Sequence, residues 1–176
     1  LISLVEEYQL DALQLHGDES VAYVADLQLQ LAERRALFVE ENKHQKKKKN
    51  KHKISNEKVE IIKVFGVKDT FDFEVLRPYL DVVDSFLFDT KGKERGGNGV
   101  QFDWAILEQY PFEKPFFLSG GIGLDSVDSL QTFLGKPASK YCFALDINSK
   151  FESLPGAKKV EKIKKFKNKI IAKEAK

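Results

Sequence analysis

Acidic and imidazole side chains follow several short apolar runs in this sequence. The run Phe86-Leu87-Phe88 stops at Asp89 and passes directly into a glycine-rich, charged segment. A buried strand does not normally end on an unpaired acid, because burying a charge costs free energy. Asp89 therefore either caps a turn or is held at a strand end to carry out acid–base chemistry.

The other apolar runs also end on polar or flexible residues. These ends are His16-Gly17, Ser119-Gly120-Gly121 and Asp146-Ile147-Asn148-Ser149. Glycines at such positions let backbone N–H groups approach an anion closely, and a following helix N-terminus adds a favourable dipole. Ordinary turn glycines are the alternative interpretation. Two loops on consecutive predicted strands, SGG after the fourth strand and NSKF after the fifth, favour a phosphate site at these strand ends.

Short apolar runs alternate with helical patterns along the chain. The predicted strands are DALQLHG, VEIIKVFGV, DSFLFDT, KPFFLSGG and KYCFALDIN. The helical patterns after them are DESVAYVADLQLQLAERR, FDFEVLRPYL, FDWAILEQY, LDSVDSLQTFLGK and KKVEKIKKFKNKIIAK. This alternation predicts an α/β fold with a parallel sheet and helices outside it. The opening ISLVEEYQ predicts a helix that belongs to an earlier unit.

Alternation along each strand assigns directions to the polar residues. If Phe86 and Phe88 pack on helices, then Asp89 faces the interior, and His16 faces inward by the same reasoning. Parallel α/β barrels place their active sites at the carboxyl ends of their strands. We therefore expect Asp89, His16 and Asp146 to converge at one barrel mouth. Alternation also predicts that three residues of the fifth strand share its inner face: Cys142, Ala144 and Asp146.

Composition indicates one soluble domain spanning residues 1–176. The chain is 42% hydrophobic and 32% charged, with a formal net charge of +2. The single cysteine, Cys142, excludes an internal disulfide and fits a reducing cytosol. The three histidines show no spacing typical of metal ligands. No apolar stretch approaches the roughly 20 residues that a membrane span needs. No signal peptide is expected. The absence of methionine and the leucine at position 1 suggest a missing natural start.

A lysine-rich insertion at residues 43–58 separates the first long helical pattern from the next strand. Its sequence is KHQKKKKNKHKISNEK, without aromatic residues that would stack on bases. A solvated loop is the favoured interpretation of such a charge run. The alternative function for the chain is a non-catalytic binding module that uses this loop on nucleic acid or acidic partners, with salt-sensitive binding.

Four motifs closely resemble the phosphoribosylanthranilate isomerase family of tryptophan biosynthesis. They are LQLHGDE, LFDTKGKERGGNGVQFDW, LSGGIG and ALDINSKFESLPGAKKVEKIKKF, and their order and spacing match over nearly the whole chain. The resemblance implies a (β/α)8 TIM barrel that converts N-(5-phosphoribosyl)anthranilate to 1-(2-carboxyphenylamino)-1-deoxyribulose 5-phosphate by an Amadori rearrangement, without metal or organic cofactor. It also implies a cytoplasmic enzyme that binds a small phosphosugar, uses neither nucleic acid nor membrane, and is a monomer or homodimer when complete.

The resemblance assigns roles to individual residues. Asp89, in the DTK motif, is the general acid that protonates the furanose ring oxygen, which requires a carboxyl kept protonated near neutral pH. Asp146 contacts sugar hydroxyls, and His16 either shapes the substrate pocket or is a structural histidine. Lys150 stands where many relatives carry glycine, which leaves the geometry of that loop open. The residues matching the phosphate loops are Gly120, Gly121, Asn148 and Ser149.

Two expected family residues have no counterpart here: a cysteine base in a KICG-type first strand, and an arginine that holds the substrate carboxylate. Cys142 precedes Asp146 by four residues, so its Cα lies about 13 Å below the strand end and it is expected to be core. A complete barrel needs at least about 200 residues. We therefore expect strands four to eight of an N-terminally truncated barrel, inactive alone. Another phosphosugar barrel, an epimerase or indole-glycerol-phosphate synthase, would need different strand-end acids or metal ligands.

Overall fold

The computed structural model describes residues 1–44, 58–90 and 102–171. Its α-helices are α1 (Ile2–Tyr8), α2 (Val21–His44), α3 (Val127–Leu134) and α4 (Val160–Ile171). Its strands are β1 (Ala12–Leu15), β2 (Glu60–Val67), β3 (Ser85–Thr90), β4 (Phe116–Leu118) and β5 (Cys142–Leu145). All five predicted strands are confirmed, and α1, α2, α3 and α4 form where helical patterns were predicted.

The five strands form one sheet in the order β1-β2-β3-β4-β5. Pairing is parallel between β1 and β2, between β3 and β4, and between β4 and β5. Phe86 of β3 lies opposite Phe116 of β4, so the carboxyl ends of β3, β4 and β5 lie at the same edge. This confirms the α/β fold with a parallel sheet. The closed eight-stranded barrel, the strand numbering and the truncation stay predictions.

The chain divides into two compact units. The first contains Leu1–Lys63 and Leu76–Ser85, and the second contains Val64–Val75 and Phe86–Lys176. The organisation of residues 1–176 as a single domain stays a prediction. Within the part of the chain that the structure describes, no helix is both long and apolar enough to cross a membrane.

Two of the predicted helices are 3-10 helices, at Phe73–Tyr79 and Trp104–Gln109. The first contains Pro78, which lacks an N–H group and whose ring would clash with the carbonyl four residues earlier in an α-helix. The second begins with an aspartate cap, because Asp103 Oδ1 accepts the Ala105 N–H at 3.0 Å. Both segments connect strands as 3-10 helices of six or seven residues, about two turns each.

An aromatic cluster on β3 forms the core of the second unit. Phe86 and Phe88 are fully buried. The ring of Phe88 packs against three others at centroid distances of 6.2, 5.7 and 5.1 Å: Phe73, Tyr110 and Phe116. Phe88 thus points toward the 3-10 helices, as predicted. Alternation along β3 then places Leu87 and Asp89 on the opposite face of the strand.

The fifth strand differs from the prediction because it contains a bulge. Phe116 pairs with Cys142, whereas the next residue, Phe117, pairs with Ala144. Paired residues of parallel strands share a face, so Cys142 lies on the side of Phe116, whose ring packs against Tyr110. Ala144 lies on the other side. The predicted common face of Cys142, Ala144 and Asp146 is therefore wrong for Cys142, because a bulge inserts one extra residue into the alternation.

A buried lysine organises the first unit. Lys63 of β2 lies opposite Leu15 and is only 3% exposed. Its Nζ atom lies 3.2 Å from Glu19 Oε2 and donates to the Gly17 carbonyl oxygen at 3.0 Å. The Glu19 carboxylate accepts the Gly17 N–H at 2.9 Å, and the Tyr79 hydroxyl donates to the Glu19 carbonyl oxygen at 2.9 Å. The buried cation is thereby satisfied by the turn that follows β1.

We expect Lys63→Met to lower the free energy of unfolding by about 2 kcal/mol, because it removes charge-assisted hydrogen bonds and leaves a half-buried carboxylate without its cation. Urea denaturation of the 176-residue chain measures this change. The matched control is Lys136→Met, whose partner Glu108 lies 3.1 Å away with both side chains 41% exposed. An exposed pair of this kind contributes less than about 1 kcal/mol. Equal losses in the two variants would contradict a stabilising role for the buried pair.

The same network makes stability depend on pH. Burial acts to raise the pKa of Glu19, but backbone hydrogen bonds and the Lys63 ammonium outweigh it and hold the pKa below its ordinary value of 4.5. A lowered folded-state pKa contributes stability above pH 4.5, and that stability is lost as pH falls through the folded-state value.

We therefore expect Glu19→Gln to destabilise the chain near pH 7 and to approach wild-type stability on acidification. Urea denaturation repeated between neutral and acidic pH measures the difference. Glu7→Gln, at an exposed position of α1, serves as the control. If the difference in free energy of unfolding between the wild type and Glu19→Gln does not change with pH, the Glu19 carboxylate does not make this contribution.

Candidate active site

The carboxyl end of β3 carries Asp89 and Thr90, both half-buried. Asp89 Oδ1 accepts the Thr90 N–H at 2.8 Å, and Thr90 Oγ1 accepts the Phe102 N–H at 3.2 Å. The Asp89 carboxylate therefore helps to order the strand end, as a capping residue would. It also lies on the face opposite Phe88. The capping and chemical interpretations of Asp89 are compatible with each other.

The glycine pair after β4 lies against the end of β3. Gly120 has a φ angle of +89° and Gly121 a φ angle of +63°, backbone conformations that residues other than glycine rarely adopt. A Cβ atom on Gly120 would lie 2.2 Å from Thr90 Oγ1 and 2.7 Å from the Thr90 backbone nitrogen. Gly120 is thus required both by its conformation and by its close approach to β3. The sequence predicted the loop but not this contact with Thr90.

Hydrogen bonds join the ends of β3, β4 and β5. The Ser119 N–H donates to the Phe88 carbonyl oxygen, and the Asp146 N–H donates to the Leu118 carbonyl oxygen, each at 2.8 Å. The buried Ser119 hydroxyl donates to Asp146 Oδ2 at 3.1 Å. Ser119 therefore orients the exposed Asp146 carboxylate. The one sequence signal for Ser119 is that it directly follows the apolar run of β4.

The loop after β5 holds Asn148 and Ser149, both exposed. Asn148 precedes a 3-10 helix at Ser149–Phe151, and its Oδ1 atom accepts a hydrogen bond from Lys158 Nζ. Lys158 also pairs with Glu152 at 2.7 Å, and this hydrogen bond holds the pKa of Glu152 below its ordinary value. A lysine that sequence reasoning did not single out thus orders the predicted phosphate loop.

The sequence left open how Lys150 affects the geometry of the loop after β5. In the structure, its side chain is turned toward the loop after β4. Its Nζ atom lies 2.7 Å from Asp125 Oδ2. The hydrogen bond from Lys150 holds the pKa of Asp125 below its ordinary value, so the Asp125 carboxyl is ionised at neutral pH. The two predicted phosphate loops are therefore joined by an ion pair.

His16 lies in the first unit, directly after β1, and is exposed. The residue after it, Gly17, begins the turn that Lys63 and Glu19 stabilise. The other predicted site residues lie in the second unit, at the carboxyl ends of β3, β4 and β5: Asp89, Gly120, Gly121, Asp146, Asn148 and Ser149. The convergence of His16 with that group stays a prediction.

Cys142 has the properties of a packing residue. Its side chain is half-buried, and burial raises the pKa of the thiol to about 11 even though a backbone hydrogen bond at Leu118 opposes the rise. A thiol with this pKa is protonated at neutral pH, and only a thiolate would accept a proton. This property supports the expectation that Cys142 is not the catalytic base.

Two predicted features fall outside the described residues. They are residues 45–57 of the lysine-rich segment 43–58, which carries the binding-module alternative, and the glycine-rich stretch 91–101 after Thr90. Among the residues that the structure does describe, no group of three or more His, Cys, Asp or Glu side chains is placed to hold a metal ion.

Solved structures with this fold include a phosphoribosyl anthranilate isomerase from Thermus thermophilus. It is 21% identical to this chain, with a TM-score of 0.61, and the match covers 99% of this chain and 65% of the Thermus thermophilus chain. A second is a phosphoribosyl anthranilate isomerase in complex with reduced 1-(o-carboxyphenylamino)-1-deoxyribulose 5-phosphate. It is 24% identical, with a TM-score of 0.60 and coverage of 97% of this chain and 64% of that one. These likenesses support the fold.

Sequence comparison places the chain in a family. A curated N-(5'-phosphoribosyl)anthranilate isomerase from Parabacteroides distasonis is 34% identical over 164 residues, which are 93% of this chain and 60% of the relative. The enzyme of the same name from Petrotoga mobilis is 38% identical over 119 residues, which are 66% of this chain and 54% of the relative. The chain thus spans 54–60% of the length of these relatives. The family model for N-(5'-phosphoribosyl)anthranilate (PRA) isomerase matches residues 42–169, and the chain belongs to that family.

Proposed function

We propose that this chain supplies the general acid and the phosphate-binding loops of an enzyme that isomerises N-(5-phosphoribosyl)anthranilate in tryptophan biosynthesis. The observation that carries the proposal is the placement of Asp89, the glycine loop and Asp146 at adjacent strand ends in a member of this family. The relative solved with reduced 1-(o-carboxyphenylamino)-1-deoxyribulose 5-phosphate binds a ligand of the class proposed here.

In this proposal Asp89 protonates the ring oxygen of the ribose. The bond between C1 and the ring oxygen then breaks, and the lone pair of the anthranilate nitrogen forms a C=N bond at C1. A base next removes the proton from C2. The electrons of that C–H bond form a double bond between C1 and C2, and the π electrons of the C=N bond return to the nitrogen, which gives a neutral enolamine. Tautomerisation of the enolamine yields the ketone product. The family resemblance assigns the base to a cysteine on the first strand of the barrel, which has no counterpart in these residues.

The phosphate group is bound in this proposal by backbone N–H groups of the loops after β4 and β5. Positive φ angles at Gly120 and Gly121 suit backbone N–H groups that converge on an anion. Asn148 and Ser149 approach from the second loop. Asp146, oriented by the Ser119 hydroxyl, accepts hydrogen bonds from sugar hydroxyls.

Asp89→Asn is the direct test of the general acid. The substitution keeps the side-chain size but removes the transferable proton, so we expect kcat/KM to fall by about 100-fold or more. The assay uses a fusion in which the N-terminal part of the Parabacteroides distasonis relative precedes this chain. Asp81→Asn, at an exposed turn before β3, is the matched control and should retain activity. Wild-type turnover in Asp89→Asn, with the fold intact by circular dichroism, would remove Asp89 from the mechanism.

We also expect the 176-residue chain to show negligible isomerase activity by itself and the fusion to be active, because the proposed base lies on the added segment. Turnover of purified substrate by each polypeptide measures this difference. Full activity of the 176-residue chain alone would show that its own residues provide the base.

A further inference from the structure

An ion pair joins the two predicted phosphate loops. Asp125 lies in the 3-10 helix Leu124–Ser126 that follows the β4 loop, and Lys150 lies in the 3-10 helix that follows β5. Their side-chain atoms Oδ2 and Nζ are 2.7 Å apart, across 25 residues of sequence. The Lys150 side chain is 25% exposed and that of Asp125 is 68% exposed. A pair this exposed on one side adds little to global stability.

The stem of Lys150 also packs on the backbone of the β4 loop. A Cβ atom on Gly123 would lie 2.6 Å from Lys150 Cδ and 2.6 Å from Asp125 Oδ1. Gly123 is in an extended conformation that any residue adopts, and a larger residue there would have to displace the side chains of Lys150 and Asp125. The lysine thus contacts the β4 loop twice, through its stem at Gly123 and through its ammonium group at Asp125.

Both ends of this contact are fixed in their own loops. The Gly123 N–H donates to Ser126 Oγ at 2.9 Å, and Ser126 Oγ donates back to the Gly123 carbonyl oxygen at 3.0 Å. The Lys150 carbonyl oxygen accepts a hydrogen bond from Lys162 Nζ of α4. The neighbouring Phe151 is fully buried, with its ring centroid 5.1 Å from that of Phe166. The ion pair therefore connects two ordered segments.

We propose that the Lys150–Asp125 pair is a positioning clamp that sets the spacing between the glycine loop and the Asn148–Ser149 loop, and so sets the affinity for the phosphate group. This inference rests on the proposed function, which assigns phosphate to these loops. Lys150 acts through the loops and Asp125, and both residues are positioning residues.

The test is a titration of the 176-residue chain with inorganic phosphate, followed by 1H–15N NMR of the loop amides. Lys150→Met keeps the stem over Gly123 but removes the charge, and Asp125→Asn removes the other partner. We expect each to raise the Kd for phosphate by about 2- to 5-fold. The double variant should lose no more than either single variant, and Lys150→Arg should restore binding. Lys136→Met, which breaks an exposed pair outside these loops, should bind as wild type.

The possible outcomes separate the clamp from the proposed function. If the wild-type chain binds no phosphate, the phosphate site fails and the clamp fails with it. If the wild type binds and Lys150→Met binds equally well, the clamp alone is overturned. A loss in Lys150→Met without a loss in Asp125→Asn would make Lys150 a direct phosphate ligand and would also overturn the clamp. Melting temperatures of the variants should stay close to that of the wild type.

Discussion

Parallel hydrogen bonding between β3, β4 and β5 is the constraint on which the candidate site depends. The ladder continues one residue beyond β4 and β5, through the Ser119 and Asp146 amides, so the residues that follow the strands lie at one edge. The aromatic cluster around Phe88 fixes the orientation of β3. Asp89 thereby lies on the opposite face, beside the glycine loop that contacts Thr90.

Lysine–carboxylate pairs order the turns that follow the strands. In the first unit Lys63 binds the turn that contains Glu19. In the second unit Lys150 pairs with Asp125, and Lys158 pairs with Glu152 while donating to Asn148. Glycines and short polar turns have little packing of their own, so these charges add to the order that apolar anchors such as Phe151 provide. Such order favours ligand binding, because loops already in place lose less entropy on binding.

Much of the fold and the site was predictable from local pattern. The five strands, the packing of Phe88 on the helical side of β3 and the glycine loop followed from apolar runs and turn residues. The 3-10 helix at Phe73–Tyr79 differs from the predicted α-helix because Pro78 overrides the apolar periodicity. The β5 bulge and the pairs Ser119–Asp146 and Lys150–Asp125 were not predictable, because contacts between residues 25 or more positions apart leave no periodic signal.

The most direct measurement is a crystal structure of the fusion protein bound to the reduced product analogue, the ligand named above for a solved relative. We expect the phosphate to accept hydrogen bonds from backbone N–H groups of the Gly120–Gly121 and Asn148–Ser149 loops. We also expect an Asp89 oxygen within about 3.5 Å of a sugar oxygen. A phosphate bound away from these loops, or an Asp89 carboxylate turned toward the Phe88 cluster, would contradict the proposed phosphate site or the proposed role of Asp89.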